Sequence, residues 1–129
     1  MHFTCTSPMT WHWQIEEQPD HLLVRVEGEW QMQRLLKMLD EVSMVCRQLG
    51  YLSVLIDCRE VRGHLSEADR YLAGVRMAEK FGKIRLAALL SRDAAMTKFA
   101  ERVAVARGAA VLVTKDPDEA QRWLRGDRS

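Results

Sequence analysis

The sequence predicts a single α/β domain, built on a mostly parallel sheet of about five strands in consecutive βα order and opened by an N-terminal antiparallel hairpin. Three observations predict it. Apolar and polar residues alternate with period two over residues 11–16 and 22–26, as in half-buried strands. Residues 52–56 and 84–90 are short, mostly apolar runs, interrupted only by Ser53 and Arg85, as in strands covered on both faces. Between and after these runs the apolar spacing changes to three and four residues, the spacing of helices. Right-handed crossovers then place the later strands side by side in parallel.

The elements follow in order. Trp11, Trp13 and Ile15 alternate with His12, Gln14 and Glu16; Pro19-Asp20 marks a turn, and Leu22, Val24 and Val26 alternate again. From Gln31 to Leu49 the apolar stripe Met32, Leu35, Leu36, Leu39, Val42, Cys46 and Leu49 predicts a helix, with Gly50 at its C-cap. The strand Leu52 to Ile56 runs into Asp57. Ser66, with Asp69 three residues on, predicts a capped helix with Leu72, Val75 and Ala78 on one face and a stop at Gly82. Ile84 to Leu90 is the next strand. Asp93 is positioned to cap a helix carrying Met96, Phe99, Ala100, Val103 and Ala106, ending at Gly108. Ala110 to Val113 is the last strand, and Asp116, Pro117 and Glu119 start a final helix that buries Ala120, Trp123 and Leu124. Residues 1–10 and 126–129 are expected as tails and residues 11–125 as the domain.

Composition excludes several classes of function. At 129 residues, 47% hydrophobic and 29% charged, the chain has the make-up of one ordinary globular domain. Its 19 basic and 18 acidic side chains leave a net charge of +1, too small a field to hold nucleic acid non-specifically. Cys5, Cys46 and Cys58 form no CxxC pair and no even-numbered set, so three free thiols and a reducing cytoplasm are expected. Met1 to Thr10 has neither a basic nor an apolar leader region, and no apolar run approaches the ~18 residues of a membrane span.

The motifs point the same way. Seven dispersed glycines make neither GxGxxG nor a P-loop, so no nucleotide cofactor is expected. His2, His12, His21 and His64 lack paired ligand spacing, so no metal is expected either. Met32, Met38 and Met44 fall at helical spacing and read as core. In open α/β sheets ligands sit beyond the C-terminal ends of the strands. That places the candidates in residues 28–30, 57–66, 91–93 and 114–116, with the helix starts at Ser66 and Asp93 favouring an anion. The candidate ligand-binding residues are Asp57, Arg59, Arg62, His64, Ser66 and Arg92.

Several pieces, in order, carry a family resemblance: Val54-Leu55-Ile56-Asp57, Val61-Arg62-Gly63, Asp69-Arg70-Tyr71, the stretch Phe99 to Ala104, Arg107-Gly108, Glu119-Ala120 and Trp123-Leu124. Together they resemble the STAS superfamily of sulfate transporters and anti-sigma factor antagonists, in its stand-alone SpoIIAA-like branch. The resemblance implies helices largely on one face of the sheet and a binding or regulatory role without catalysis. It also implies a phosphorylatable serine at the start of the helix after the Asp57 strand, where this chain reads Leu65-Ser66-Glu67-Ala68, so Ser66 is the candidate phosphorylation site. Dimers and lipid-like or membrane-associated ligands are implied as well.

The expected function is therefore a non-enzymatic cytoplasmic regulatory or ligand-binding module. Its partners would be a small hydrophobic or anionic ligand, a membrane surface or another protein. The alternatives are a phospho-switched partner-binding protein acting through Ser66 and a small hydrolase using Ser66 and His64. A homodimer is expected too. Strands apolar on both faces would leave an open apolar patch for a second copy, with Trp11, Trp13 or Trp30 in the interface.

Overall fold

Three layers form, because the strands carry apolar side chains on both faces and helices cover each. The structure, a computed structural model, describes residues 4–5 and 11–126. Its elements are β1 (Thr4–Cys5), β2 (Trp11–Glu17), β3 (Leu22–Glu29), α1 (Met32–Leu49), β4 (Ser53–Arg62), α2 (Glu67–Phe81), β5 (Arg85–Leu90), α3 (Phe99–Ala106), β6 (Val111–Thr114) and α4 (Pro117–Leu124). The six strands lie in chain order, antiparallel from β1 to β3 and parallel from β3 to β6. The predicted α/β class and order hold. The additional strand is β1, which lies in the segment expected as a tail.

Local chemistry sets most boundaries. Gly50 ends α1 at φ 78°, a left-handed conformation that disfavours a β-carbon, and its N–H donates to the Cys46 carbonyl. The Ser66 side chain caps α2, and Asp116 caps α4 ahead of Pro117. Two boundaries depart from expectation. β4 begins after Leu52, which is 78% exposed, and continues to Arg62 because β3 runs on to Glu29 and supplies pairing partners past Asp57. Between the pairs Arg25–Asp57 and Glu27–Glu60 the register shifts by one residue, a bulge at which the Asp57 carboxylate accepts the Arg59 N–H. Helix α3 starts at Phe99, not at Asp93. Residues 91–94 close a turn through Ala94 N–H to the Ser91 carbonyl, and the helix begins where Lys98 and Glu101 reach β6.

One face of the sheet packs against α1, α2 and α3, and buries Trp11, Leu22, Val24, Val54 and Leu86 against Met38, Leu39, Val42 and Phe81. The opposite face buries Leu23, Leu55, Ala87 and Leu89 against Ala120 and Leu124 of α4. The expected open apolar patch is therefore covered within the chain by α4. Trp11 and Trp13, at 1% and 4% exposure, fill the core of one subunit rather than an interface, and Trp30 packs half-buried against them. The rings of Trp11 and Trp30 stand 6.1 Å apart, and Trp11 Nε1 is buried without a hydrogen-bond partner among the described residues. Helices α2 and α3 meet at Gly74, where a β-carbon would stand 2.6 Å from the Ala100 carbonyl oxygen.

Cys46 and Cys58 are buried free thiols, as expected; the Cys5 side chain lies outside the described ones. Burial pushes the Cys46 thiol up to about 11 and, with Asp57 adding to it, the Cys58 thiol to about 12. At the far edge of the sheet Val113 donates its N–H to Glu101 Oε1 at 2.7 Å and accepts at its carbonyl from Lys98 Nζ. Among the described residues no helix is long and apolar enough to cross a membrane.

Candidate functional site

A cavity of about 100 Å³ opens between the sheet and helices α1 and α2, over the C-terminal halves of β4 and β5. Its floor is Ile56 and Cys58 of β4 and Ala88 and Leu90 of β5, and its walls include Leu35 and Met38 of α1 and Ala73 and Met77 of α2. Small side chains create the space. Ala73, Ala88 and Ala100 come from three different elements, and none is long enough to fill the gap between them. Trp30, Leu65, His64, Arg70 and Thr97 complete the lining, and the exposed His64 and Thr97 mark where it meets solvent.

The chain reaches this mouth through Gly63, at φ 91°, which turns it off β4 into His64. The Trp30 N–H donates to the Arg62 carbonyl at 3.1 Å and ties the β3 exit to the same loop. Ser66, exposed, accepts the Asp69 N–H at 3.0 Å, and no hydrogen bond joins it to His64 among the described residues. No nucleophile and base are therefore paired there. Ser66→Ala should cost about 1 kcal/mol through loss of the cap, while Ser66→Asp, which keeps an acceptor, should stay near the wild type. Urea midpoints would check both; an unchanged midpoint for Ser66→Ala would mean the cap contributes nothing.

The sequence candidates fall into three places. His64 lines the cavity, and Ser66 caps α2 just beyond Leu65 of the lining. Asp57 and Arg59 lie away from the cavity, on the sheet face that α4 leaves uncovered next to His12, Gln14 and Glu60. There Arg59 donates to both carboxylate oxygens of Asp57, at 3.0 and 2.8 Å, and Arg25 approaches at 3.9 Å. Burial alone would raise the Asp57 pKa, but the hydrogen bonds and charge of Arg59 outweigh it and hold the carboxyl below its ordinary value. Neighbouring side chains on that face are also partnered, Arg25 with Glu16 at 2.7 Å and the His12 ring with Glu27. This face is a satisfied ion-pair surface. Arg62 and Arg92 are exposed, and Arg92 meets Lys115 only through its carbonyl. The helix start expected at Asp93 as an anion site is absent, because α3 begins at Phe99. Among the described residues no group of three or more metal-ligating side chains comes together.

Sequence reasoning placed Trp30 in a candidate loop, at residues 28–30, but passed over Arg70 and Thr97 as site residues. Arg70 lies one helical turn after the Ser66 cap, and that spacing was the available signal; nothing local distinguishes Thr97.

The chain overlays an anti-sigma factor antagonist from Mycobacterium paratuberculosis over 94% of its own length and 99% of that chain, with a TM-score of 0.63 and 14% identity. The fold is SpoIIAA-like. SpoIIAA itself, solved in its unphosphorylated form, matches over 91% of this chain and 99% of its own, with a TM-score of 0.52 and 13% identity. A protein of the DUF3478 family with a SpoIIAA-like fold from Shewanella loihica PV-4 matches over 96% and 95%, with a TM-score of 0.49 and 20% identity. No family model matches the chain, and no curated protein matches it. At these identities the fold is what is shared. In this version of the SpoIIAA-like fold, the cavity lies under α1 and α2, with its mouth beside the start of α2.

Proposed function

We propose that the chain is a non-catalytic regulatory module that holds a small apolar ligand in the cavity between the sheet and helices α1 and α2. The observation that carries this is the cavity itself, with an almost wholly apolar lining and a few polar side chains at its mouth. Its volume is near that of apolar cavities of about 150 Å³ that take up benzene, so a single ring or a chain of about six carbons suits it. The module's place among SpoIIAA-like folds, whose named members are anti-sigma factor antagonists, supports regulation by binding. Buried reduced thiols support a cytoplasmic location. Tyr71, Leu72 and Val105, exposed on α2 and α3, support a homodimer as the form in solution.

Millimolar 1-hexanol should raise the melting temperature with saturation, since a ligand that binds only the folded state stabilises it by mass action. Ala88→Leu, which fills the cavity from β5, should abolish the rise. An identical, non-saturating response from both proteins would sink the reading. The same purified protein under native mass spectrometry reads subunit number.

A second reading, a phospho-switch at Ser66, is favoured by one observation: the serine is exposed and caps a 15-residue helix. A phosphate there would sit at the positive end of the helix dipole, next to the cavity mouth.

A further inference from the structure

We infer that the ligand of this cavity is a small carboxylate, its apolar tail inside and its carboxylate at the mouth on Arg70; the inference rests on the ligand-binding reading above. Among the described residues no aspartate or glutamate lines the cavity, whereas Arg70, His64 and Thr97 do. The polar end of the site thus offers a permanent cation, a ring nitrogen and a hydroxyl, and the charge that complements it is negative.

The Arg70 side chain is only 16% exposed, so its guanidinium is held in place rather than waving in solvent. Its present bonds are replaceable. One terminal nitrogen donates to Glu67 Oε1 at 3.0 Å, and Glu67 is 66% exposed; the other reaches the Ala95 carbonyl at 3.4 Å, beyond the usual N–H···O range. A carboxylate arriving from the cavity side would take both nitrogens in the parallel geometry that guanidinium and carboxylate prefer, and Glu67 would swing out into water. The tail length follows from the volume: a chain of about six carbons or one ring fits, and a long acyl chain does not.

Titration of the full chain with hexanoate and with 1-hexanol, at equal ionic strength and followed by tryptophan fluorescence, separates this inference from the reading beneath it. Trp30 lines the cavity and serves as the reporter. Hexanoate should bind about tenfold or more tightly than hexanol, the scale of one hydrogen-bonded charge pair. Arg70→Gln should erase most of that preference. Glu67→Gln, a change at an exposed residue, should strengthen hexanoate a few-fold by freeing Arg70 and leave the hexanol affinity as it was; it keeps the test decisive if Arg70→Gln folds poorly. Equal binding of acid and alcohol overturns the carboxylate inference and leaves the cavity reading standing, as does a preference that neither variant changes. Failure of both compounds to bind overturns the cavity reading and this inference with it.

Discussion

Trp11→Ala is expected to destabilise the fold by about 3–5 kcal/mol, the range for removing a large aromatic side chain from a packed core. Trp11 is 1% exposed, starts β2 opposite Gly28 of β3, and leans against Trp30 at 6.1 Å. Its removal leaves a void in the core, and Gly28 across the ladder has no side chain with which to fill it. Trp11→Phe should cost less, under about 1.5 kcal/mol, since most of the ring area stays and the substitution also removes a buried N–H that has no partner among the described residues. Guanidinium unfolding of the three proteins would measure both steps. If the alanine variant lost less than the phenylalanine one, the tryptophan would not be filling the core as described.

The second large effect runs against helix propensity. Gly74 lies within α2, where alanine is favoured over glycine by about 1 kcal/mol. Gly74→Ala should nevertheless destabilise by about 2 kcal/mol or more, because the added carbon meets the Ala100 carbonyl oxygen at 2.6 Å and the Val103 Cβ at 2.9 Å. The nearest of these is backbone, so relief requires moving α3 away from α2 as a unit. That movement would also shift Ala100 and Ala73, which line the cavity, so the substitution should weaken binding of the hexanol probe as well. Thermal melts with and without the probe read both effects. A stabilised Gly74→Ala protein would show that the two helices are not in contact at this glycine.

What the sequence made legible is what short stretches of chain decide. The hairpin, the stripe of α1, the Ser66 cap on α2 and the Asp116-Pro117 start of α4 each depend on residues within a few positions of one another, and each stands where expected. The end of β4 does not: Arg59, Glu60 and Arg62 read as a polar loop, and they are a strand because Glu27, Gly28 and Glu29 lie alongside. The start of α3 is set by Lys98 and Glu101 reaching β6, and tertiary ties of that kind override a good capping residue at Asp93. Trp11 and Trp13 were open to either an interface or the core until the packing of their sheet face against α1 was known. The cavity was the least legible feature. It is a gap left by alanines at 73, 88 and 100, none of which marks itself locally; at its mouth His64 was a candidate from the sequence, whereas Arg70 and Thr97 were not.

The arrangement at β6 bears on how copies of this chain behave when crowded. A sheet with a bare edge offers a row of unpaired backbone groups, which another strand can extend into a fibre. Here the N–H and carbonyl of Val113, on the last strand, are already taken by the carboxylate of Glu101 and the ammonium of Lys98, which also pair with each other at 3.1 Å. An incoming strand would have to displace both side chains from the Val113 backbone before gaining a ladder bond there. At Val113 the β6 margin is thus guarded against strand addition by Glu101 of α3 and by Lys98 at its N-cap, with no proline in the strand to do it.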